Sequence, residues 1–446
     1  MTPATPLRHP SFAEAFRFWL KLGFISFGGP AGQIALMHTE LVERRRWISE
    51  GRFLHALNYC MLLPGPEATQ LAVYIGWLLH RTRGGIIAGL LFVLPSLLIL
   101  IGLSWIYLAY GHLAVVSGIM NGIKPAVVAI VLAAAWRIGS RTLRNSVLIA
   151  IACAAFVGIA LLGLPFPLIV LAAALCGVLG ARLRPQAFQP AGAHGAAHAA
   201  KGAQRPRALI DDDTPTPEHA RFSRARLAVV ALVGVGLMLA LWLLLAASGG
   251  GQGTLAQMGW FFTKAALMTF GGAYAVLPYV VQGAVEHYGW LSAPQMIDGL
   301  ALGETTPGPL IMIVAFVGFV GGWTHAVFGP AAPWIGGIAG ATVAALFTFI
   351  PSFVFILAGG PLVESTRGNL RLTAPLTAIS AAVVGVIASL ALYFGREVFF
   401  AGGTPQPQAI VFGLLAAVAL LRYKVGTISL IAACALAGLV LSYWHV

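Results

Sequence analysis

A segment of this chain occurs twice, and the repeat constrains the fold more than any other feature of the sequence. Lys21 to Pro66 reappears without a gap as Lys264 to Pro309, and every matched pair has the same sequence separation. The identical pairs include Lys21/Lys264, Phe27/Phe270, Gly28/Gly271, Gly29/Gly272, Glu43/Glu286, Trp47/Trp290, Ser49/Ser292, Leu57/Leu300, Pro64/Pro307, Gly65/Gly308 and Pro66/Pro309. Further along, Pro95-Ser96 matches Pro351-Ser352. The chain is therefore predicted to contain two copies of one structural unit.

Composition places both copies in a membrane. The 446 residues are 59% hydrophobic and 9% charged, whereas soluble proteins carry about 25% charged residues. Apolar runs close to the length of a membrane span include 84–108, 127–136, 147–162, 168–179, 227–247, 335–357, 376–394 and 428–444. Ala, Leu and Gly dominate these runs, and they lack the alternating pattern of a membrane β-barrel. We therefore predict an all-α polytopic membrane protein.

The excess of basic residues is a topology signal. The net charge of +13 could indicate nucleic-acid binding, but the basic residues lie in short loops between apolar runs, as the positive-inside rule describes. No nucleic-acid partner is expected, and membrane lipid is the expected surrounding. The four cysteines lack metal-ligand spacing, so no metal or disulfide role is predicted. Met1 to Ser11 does not have the pattern of a cleavable signal peptide.

Four regions are predicted along the chain. The apolar pattern stops where Ala, Pro, Gly, His and charged residues predominate, which is typical of a flexible linker. The regions are a first repeat at 1–181, a flexible cytoplasmic linker at 182–226, an extra transmembrane helix at 227–247 and a second repeat at 248–446. The linker histidines His194, His198 and His219 have no regular ligand spacing, which favours a solvated linker over a metal site.

The loop charges predict that the two repeats are inverted relative to one another. If each Gly- or Pro-broken segment enters the membrane and returns to the same side, most loop Arg and Lys residues become cytoplasmic. The extra helix at 227–247 then starts the second repeat on the opposite side. This count places the N-terminus in the cytoplasm and the C-terminus in the periplasm.

Lysines inside apolar helices are the first candidate ligands for a substrate. Lys21 lies ten residues into a helix predicted to begin near Ser11, which is about 15 Å along the axis and near the bilayer midplane. A lysine at that depth costs roughly 2.5 to 3.5 kcal/mol unless it faces a cavity or a counter-charge. Lys264 is its counterpart in the second repeat. Snorkelling to an interface is the alternative for both lysines, and Lys124 is a secondary candidate that could reach the outer surface.

The Phe-Gly-Gly segments are predicted to interrupt helices and expose backbone amides to a cavity. Glycine permits positive φ and close approach, and a helix N-terminus attracts anions. The residues predicted to line the site here are Ser26, Gly28 and Gly29 in the first repeat, and Thr269, Gly271 and Gly272 in the second. A glycine-lined contact between helices is the alternative.

The Pro-Gly-Pro segments are predicted to break a second helix in each repeat, because two prolines around a glycine cannot continue one. The substrate-binding candidates here are Pro64, Gly65, Pro66, Gln70, Thr305, Thr306, Pro307, Gly308 and Pro309, with Asn58 as a secondary candidate. Glu67 and Glu304 flank the breaks and are candidates for proton coupling. Helix capping is the alternative role for these carboxylates.

A tryptophan and a serine follow the first broken segment in both repeats. Trp47 and Trp290 are predicted to be interfacial anchors. Ser49 and Ser292, two residues later, are predicted to cap the next helix.

Together these motifs resemble the chromate ion transporter family, in its long form with two fused homologous halves. The resemblance rests on Lys21 to Pro30, Leu63 to Leu71, Lys264 to Gly272 and Glu304 to Pro309, and it covers nearly the whole chain. It implies a bacterial inner-membrane exporter of chromate, driven by the proton gradient or the membrane potential, with sulfate as a related oxyanion. The lysines and half-helix N-termini independently predict an anionic substrate. The sequence leaves open whether two copies form a homodimer.

Two other classes compete with an oxyanion transporter. An uncoupled anion channel would need no intramembrane carboxyl groups, so Glu67 and Glu304 count against it. A membrane reductase would need a redox centre, and the sequence has no paired His or Cys ligands for haem or an iron–sulfur cluster. We therefore expect no enzymatic activity and no cofactor.

Overall fold

A computed structural model describes residues 8–188, 207–215, 217–270, 272–365 and 373–444 of the chain. These residues form sixteen α-helices, joined by short turns, with one isolated β-bridge. The helices are α1 (Phe12–Ile25), α2 (Gly29–His38), α3 (Glu50–Cys60), α4 (Glu67–Tyr110), α5 (Ala114–Thr142), α6 (Ser146–Ala160), α7 (Phe166–Leu183), α8 (Arg224–Gly249), α9 (Thr254–Leu267), α10 (Ala273–Val281), α11 (Ala293–Thr305), α12 (Ile313–Thr324), α13 (Pro333–Ser365), α14 (Thr373–Phe399), α15 (Pro407–Leu421) and α16 (Thr427–Trp444). The predicted all-α class is confirmed.

Six helices in the described part of the chain are long and apolar enough to cross a membrane. They are Glu67–Tyr110, Ala114–Thr142, Phe166–Leu183, Arg224–Ala247, Pro333–Leu362 and Ala374–Phe399. The fourth of these contains the predicted extra helix at 227–247. Shorter apolar helices accompany them at Ser146–Ala160, Leu310–Thr324, Pro407–Leu421 and Thr427–Tyr443. The chain is a multi-pass membrane protein.

The predicted helix breaks are present. Between α1 and α2, Gly28 and Gly29 adopt φ of +88° and +67°, a region that glycine occupies without steric cost. Between α3 and α4, Gly65 adopts φ of +118°. In the second repeat, Gly272 and Gly308 have φ of +101° and +105° at the corresponding places. Gly271, predicted at the same break, lies outside the described residues.

The two repeats share the same details of local structure. A π-helical turn follows α2 at Thr39–Arg44 and follows α10 at Gln282–His287. The serine caps are confirmed, because the Ser49 hydroxyl accepts the N–H of Arg52 and the Ser292 hydroxyl accepts that of Gln295. Equivalent sequences have thus folded into equivalent elements.

The tryptophan prediction was wrong. Trp47 and Trp290 are 5% and 1% exposed, so neither side chain lies at a lipid interface. Each π-helical turn directs its tryptophan inward, where Trp47 meets Phe18 edge-on and Trp290 stacks on Tyr288 at a ring separation of 4.5 Å. Both tryptophans are core residues.

A kink divides α4 into two helices. His80 and Arg81 have non-helical backbone angles, and the His80 ring lies 3.0 Å from the carbonyl oxygen of Pro10, just before α1. The segment from Glu67 to the kink therefore runs from the Pro-Gly-Pro break back to the level at which α1 begins. This is the geometry expected of a hairpin that returns to its starting side.

Long helices from both repeats pack together around the breaks. Helix α13 packs on α4, α8, α9 and α12, while α14 packs on α5, α6 and α7. Helix α5 also contacts α15 and α16. The buried apolar core extends through helices of both halves, because α4 and α5 contribute to the same cluster as α9 to α14. The breaks are thereby held at the interface between the halves.

Part of the predicted flexible linker is packed against the first repeat. Ile210 forms the isolated β-bridge with Ile48, and the Ser49 hydroxyl donates a hydrogen bond of 2.7 Å to Asp212. The Arg52 guanidinium donates to the Thr214 carbonyl. Residues 189–206, which include His194 and His198, lie outside the described residues. We call residues 207–215 the docked segment.

Candidate functional site

The two repeats exchange hydrogen bonds at their helix breaks. The N–H of Gly65 donates to the carbonyl of Thr269 at 2.8 Å, and the N–H of Gly308 donates to the carbonyl of Ser26 at 2.8 Å. Gly65 and Gly308 are matched positions of the repeat, as are Ser26 and Thr269. Each Pro-Gly-Pro segment is therefore bonded to the residue before the Phe-Gly-Gly segment of the other repeat. We call this arrangement the crossing.

Only glycine fits at the two centres of the crossing. An added Cβ at Gly308 would lie 2.7 Å from the Cβ of Ser96 in α4. At Gly65 it would collide with the hydroxyl of Ser352 in α13 and approach the Gln70 amide nitrogen to 2.8 Å. Since Ser96 and Ser352 are matched serines, each glycine packs against the serine of the opposite repeat. The prolines on either side end one helix and begin the next, which brings these backbones together.

The hydroxyl groups predicted at the crossing are engaged elsewhere. The Ser26 and Thr269 hydroxyls donate to carbonyls one turn earlier in their own helices, at 2.6 and 2.7 Å. The Thr305 and Thr306 hydroxyls likewise donate to the carbonyls of Leu302 and Gly303. These four residues position the backbone at the crossing, while their hydroxyls satisfy local carbonyl groups.

Two glutamines complete the crossing, and one of them was not predicted. The Gln33 side-chain amide donates to the Gly308 carbonyl at 2.5 Å and to the Ser26 carbonyl at 3.4 Å. The predicted Gln70 donates to the Pro64 carbonyl at 2.7 Å and contacts the Ser352 hydroxyl at 3.5 Å. Gln33 was missed because the matched position in the second repeat is the apolar Val276.

Several buried polar atoms in and beside the crossing have no hydrogen-bond partner among the described residues. They are the side-chain oxygens of Gln33, Thr69, Gln70 and Ser96. A buried polar group left unpaired costs about 1 to 3 kcal/mol, so such groups are uncommon outside functional sites. The hydroxyls of Thr69 and Ser96 are available as donors, which suits an anionic ligand. These four side chains form the polar centre of the candidate site.

The two candidate proton carriers have different surroundings. Glu304, three residues before Pro307, is partly buried and accepts a hydrogen bond from the Tyr274 hydroxyl. Glu67 begins α4 and is also partly buried, but no side-chain hydrogen bond caps this helix. The capping alternative for Glu67 is therefore not observed, and Tyr274 is a partner that the sequence did not suggest.

Lys21 faces an open basic groove. It is exposed on α1, five residues before Ser26, in a groove of about 310 Å³ that is also lined by Glu14, Arg17 and Arg45. Arg45 is paired with Glu14 at 3.5 Å, whereas Lys21 and Arg17 have no ion pair or hydrogen bond to the described residues. Two cations without an ion pair to the described residues thus lie in this groove, where they attract anions.

The other predicted basic ligands are placed differently. Lys264 is partly buried in α9, and its Nζ lies 5.8 Å from the centre of the Trp260 ring. Within the described chain, neither Lys21 nor Lys264 hydrogen-bonds to the crossing. Lys124 is paired with Asp298 at 3.5 Å. Asn58 is exposed on α3.

The fold and this polar centre define a multi-pass membrane protein of the transporter class, in which broken helices from two repeats meet between long spans. The chain belongs to the chromate transporter family, whose profile matches residues 13–178 and 256–439. The resemblance drawn from the sequence motifs is confirmed.

The chain is similar to three proteins named for chromate transport. It is 33% identical to a chromate transport protein of Pseudomonas aeruginosa, over 84% of this chain and 79% of that protein. It is 28% identical to a probable chromate transport protein of Synechococcus elongatus, over 87% and 86%. It is 27% identical to a chromate transport protein of Cupriavidus metallidurans, over 95% and 91%. No solved structure matches the chain.

Proposed function

We propose that this chain is a secondary active transporter that exports chromate across the bacterial inner membrane and thereby confers chromate resistance. The observation that carries the proposal is the crossing, in which matched segments of two repeats meet around unpaired polar groups. The names of the similar proteins from P. aeruginosa and C. metallidurans support chromate as the substrate.

The charge distribution supports an anionic substrate and its direction of entry. Arg17 and Lys21 lie in the groove beside α1, and the loop charges predict that α1 begins at the cytoplasmic side. A dianion is therefore attracted to the groove from the cytoplasm. At the crossing it meets the Thr69 and Ser96 hydroxyls and the N-terminus of α4, each of which favours negative charge. Capture from the cytoplasm is the first step that an exporter requires.

The repeat supports transport by alternating access. Inverted repeats that meet at a central site allow one half to rock against the other, so that the site opens to each side in turn. The reciprocal bonds of Gly65 and Gly308 join the two repeats beside the candidate site, which supports this mechanism. In this proposal the N-terminus is cytoplasmic, the C-terminus is periplasmic, and α8 inverts the second half relative to the first.

The carboxyl groups beside the breaks support coupling to protons. Glu304 lies close to the crossing, where it is partly buried and bonded to Tyr274. A carboxyl group in such a place can alternate between neutral and charged forms during the cycle. Glu304 is the first candidate to carry the coupled proton, and Glu67 is the second.

Flux into inverted membrane vesicles tests the function. Vesicles containing the chain should take up chromate when a proton gradient or membrane potential is imposed, and an ionophore that collapses both should stop accumulation. Equilibration without accumulation under every gradient would identify an uncoupled channel. Competition by sulfate in the same assay measures whether the second oxyanion is accepted.

Cysteine labelling tests the inverted arrangement separately. Glu50→Cys and His287→Cys, each in a cysteine-free background, place single thiols at exposed positions near Trp47 and Trp290. A membrane-impermeant maleimide should label the two thiols from opposite faces of the membrane. Labelling of both from the same face would exclude inverted repeats.

A further inference from the structure

A buried carboxylate joins the two repeats on one side of the crossing. Asp298 on α11 is 3% exposed. Its Oδ2 accepts a hydrogen bond of 2.8 Å from the Tyr107 hydroxyl of α4 and lies 3.5 Å from the Lys124 ammonium of α5. Its Oδ1 has no partner among the described residues. One side chain of the second repeat thus holds two helices of the first.

This cluster lies between a cavity and the crossing. The cavity, of about 450 Å³, is lined by groups that include Lys124, Asn121, Ile297, Glu397 and Gln406. From Asp298 onward every residue of α11 up to Gly303 is buried, and the helix then leads to Thr306 and Pro307 at the crossing. A substrate passing from the crossing to the cavity along α11 would meet the Asp298–Lys124 pair.

The matched helix of the first repeat is less enclosed than α11. Asp298 is matched by His55 on α3; Leu54 of that helix and Met61, just after its end, are 45% and 50% exposed. Helix α11 is packed against α4, α5, α12, α14 and α16, whereas the main packing partners of α3 are α4 and α13. Helix α11 is therefore enclosed by more helices than its counterpart α3.

We propose that the Asp298–Lys124 pair, held by Tyr107, is the gate that separates the crossing from the cavity beside α11. This inference rests on the proposed function, because a gate of this kind belongs to an alternating-access cycle. When α11 moves away from α5, the pair separates and Lys124 is left as a free cation that faces the cavity. An oxyanion leaving the crossing would then be attracted by the Lys124 ammonium, whose charge is no longer neutralised by Asp298.

The gate can be tested by thiol labelling without any substrate. Ala301 is 1% exposed and lies one helical turn beyond Asp298 toward the crossing. In a cysteine-free background, Ala301→Cys should resist a membrane-impermeant maleimide added to either face. Combined with Asp298→Ala, it should be labelled from the cavity face at least about tenfold faster, because a buried ion pair that loses one partner is strongly destabilised.

A matched control and a second pair of variants make the result specific. Glu397→Gln removes a carboxylate that lines the same cavity, and it should leave Ala301→Cys protected. Asp298→Asn, which retains the side-chain volume, should expose the thiol if Asp298→Ala does not insert into the membrane. The exchanged double variant Lys124→Asp with Asp298→Lys should restore protection.

The outcomes separate this inference from the proposed function. Protection that persists in both Asp298 variants, or equal exposure in Glu397→Gln, would overturn the gate. Because the labelling needs no chromate, the gate can be supported even if vesicle uptake fails, and it can fail even if the chain transports chromate.

Discussion

The backbone N–H of Gly308 donates a hydrogen bond of 2.8 Å to the carbonyl oxygen of Ser26, although the two residues are 282 positions apart in the chain. The same bond recurs between Gly65 and Thr269. Backbone groups at the helix breaks of one repeat therefore hydrogen-bond to backbone groups at the breaks of the other. In a membrane this is important, because freed backbone groups have no water with which to pair.

Alanine at the crossing should destabilise the protein. Gly308 has φ of +105° and would place a Cβ 2.7 Å from that of Ser96. Backbone strain alone should cost about 1 to 3 kcal/mol for Gly308→Ala, and the collision with Ser96 should add to this. Thermal unfolding of the purified protein measures the loss. Gly236→Ala, in α8 with open space around it, is the control and should leave the transition unchanged.

Glu304→Gln should separate binding from coupling. Glutamine keeps the size of the side chain and removes the titrating carboxyl group, so chromate binding should be preserved or improved as like-charge repulsion disappears. Dependence of flux on the pH gradient should be lost. Binding and pH-driven vesicle flux measured side by side test this expectation, with the exposed Glu286→Gln as control. Normal pH coupling in Glu304→Gln would remove this residue from the proton path.

The two parts of the predicted linker should respond differently to change. Deleting Gly192 to Gly202 should leave transport close to normal, because a polar linker supplies no core. Asp212→Ala should instead destabilise the docked segment by about 0.5 to 1.5 kcal/mol, since Asp212 accepts the Ser49 hydroxyl. Asp213→Ala is the matched control, because Asp213 is exposed like Asp212 but has no side-chain hydrogen bond to the described residues. Vesicle flux measures the effect of the deletion, and protease resistance measures the effect of Asp212→Ala. Loss of transport in a deletion variant that still inserts into the membrane would contradict the first prediction.

Packing of the last part of the predicted linker, around His219, should weaken in acid. Burial lowers the pKa of His219, with repulsion from Arg81 and Arg226 in addition, although a contact with the Trp77 carbonyl opposes the shift. The undocked state therefore binds the proton more readily, and docking loses stability as the pH falls through about 6.5.

Hydrogen exchange at residues 207–220 measures this loss. Exchange should be faster at about pH 5.5 than at about pH 7.5, after correction for the intrinsic pH dependence of exchange. His219→Gln should remove the difference, and the exposed His112→Gln should retain it. An unchanged difference in His219→Gln would assign the effect to another group.

The local structure of this chain could be predicted because it depends on local chemistry. Pro64 and Pro66 cannot continue a helix, Gly65 accepts positive φ, and Ser49 caps the helix that follows it, whatever the tertiary fold. The tryptophans were misassigned because the preference of tryptophan for the membrane interface is an average over many proteins. Trp47 and Trp290 are turned inward by π-helical turns, and no pattern in the sequence predicts those turns.

The contacts between repeats could not be predicted in the same way. The partner of Gly65 is set by how two halves pack, and no sequence spacing encodes it. Asp298 and Lys124 are far apart in the chain and belong to different repeats. Gln33 did leave a signal, as a polar residue within an apolar helix, and Ile210 left another, as part of a short apolar stretch in a polar linker.

Chromate binding by the purified protein tests most directly whether both repeats hold the oxyanion. Lys21→Ala and Lys264→Ala should each weaken chromate binding by at least roughly 1.5 to 3 kcal/mol, the contribution of a hydrogen bond to a charged group. Arginine at either position should restore only part of the affinity, because its planar guanidinium group occupies a different space from the lysine ammonium group. Lys424→Ala, in an exposed turn, should bind as the wild type does. Titration calorimetry gives the affinity of the wild type and of each variant. Wild-type affinity in both Lys21→Ala and Lys264→Ala would show that neither lysine holds the oxyanion.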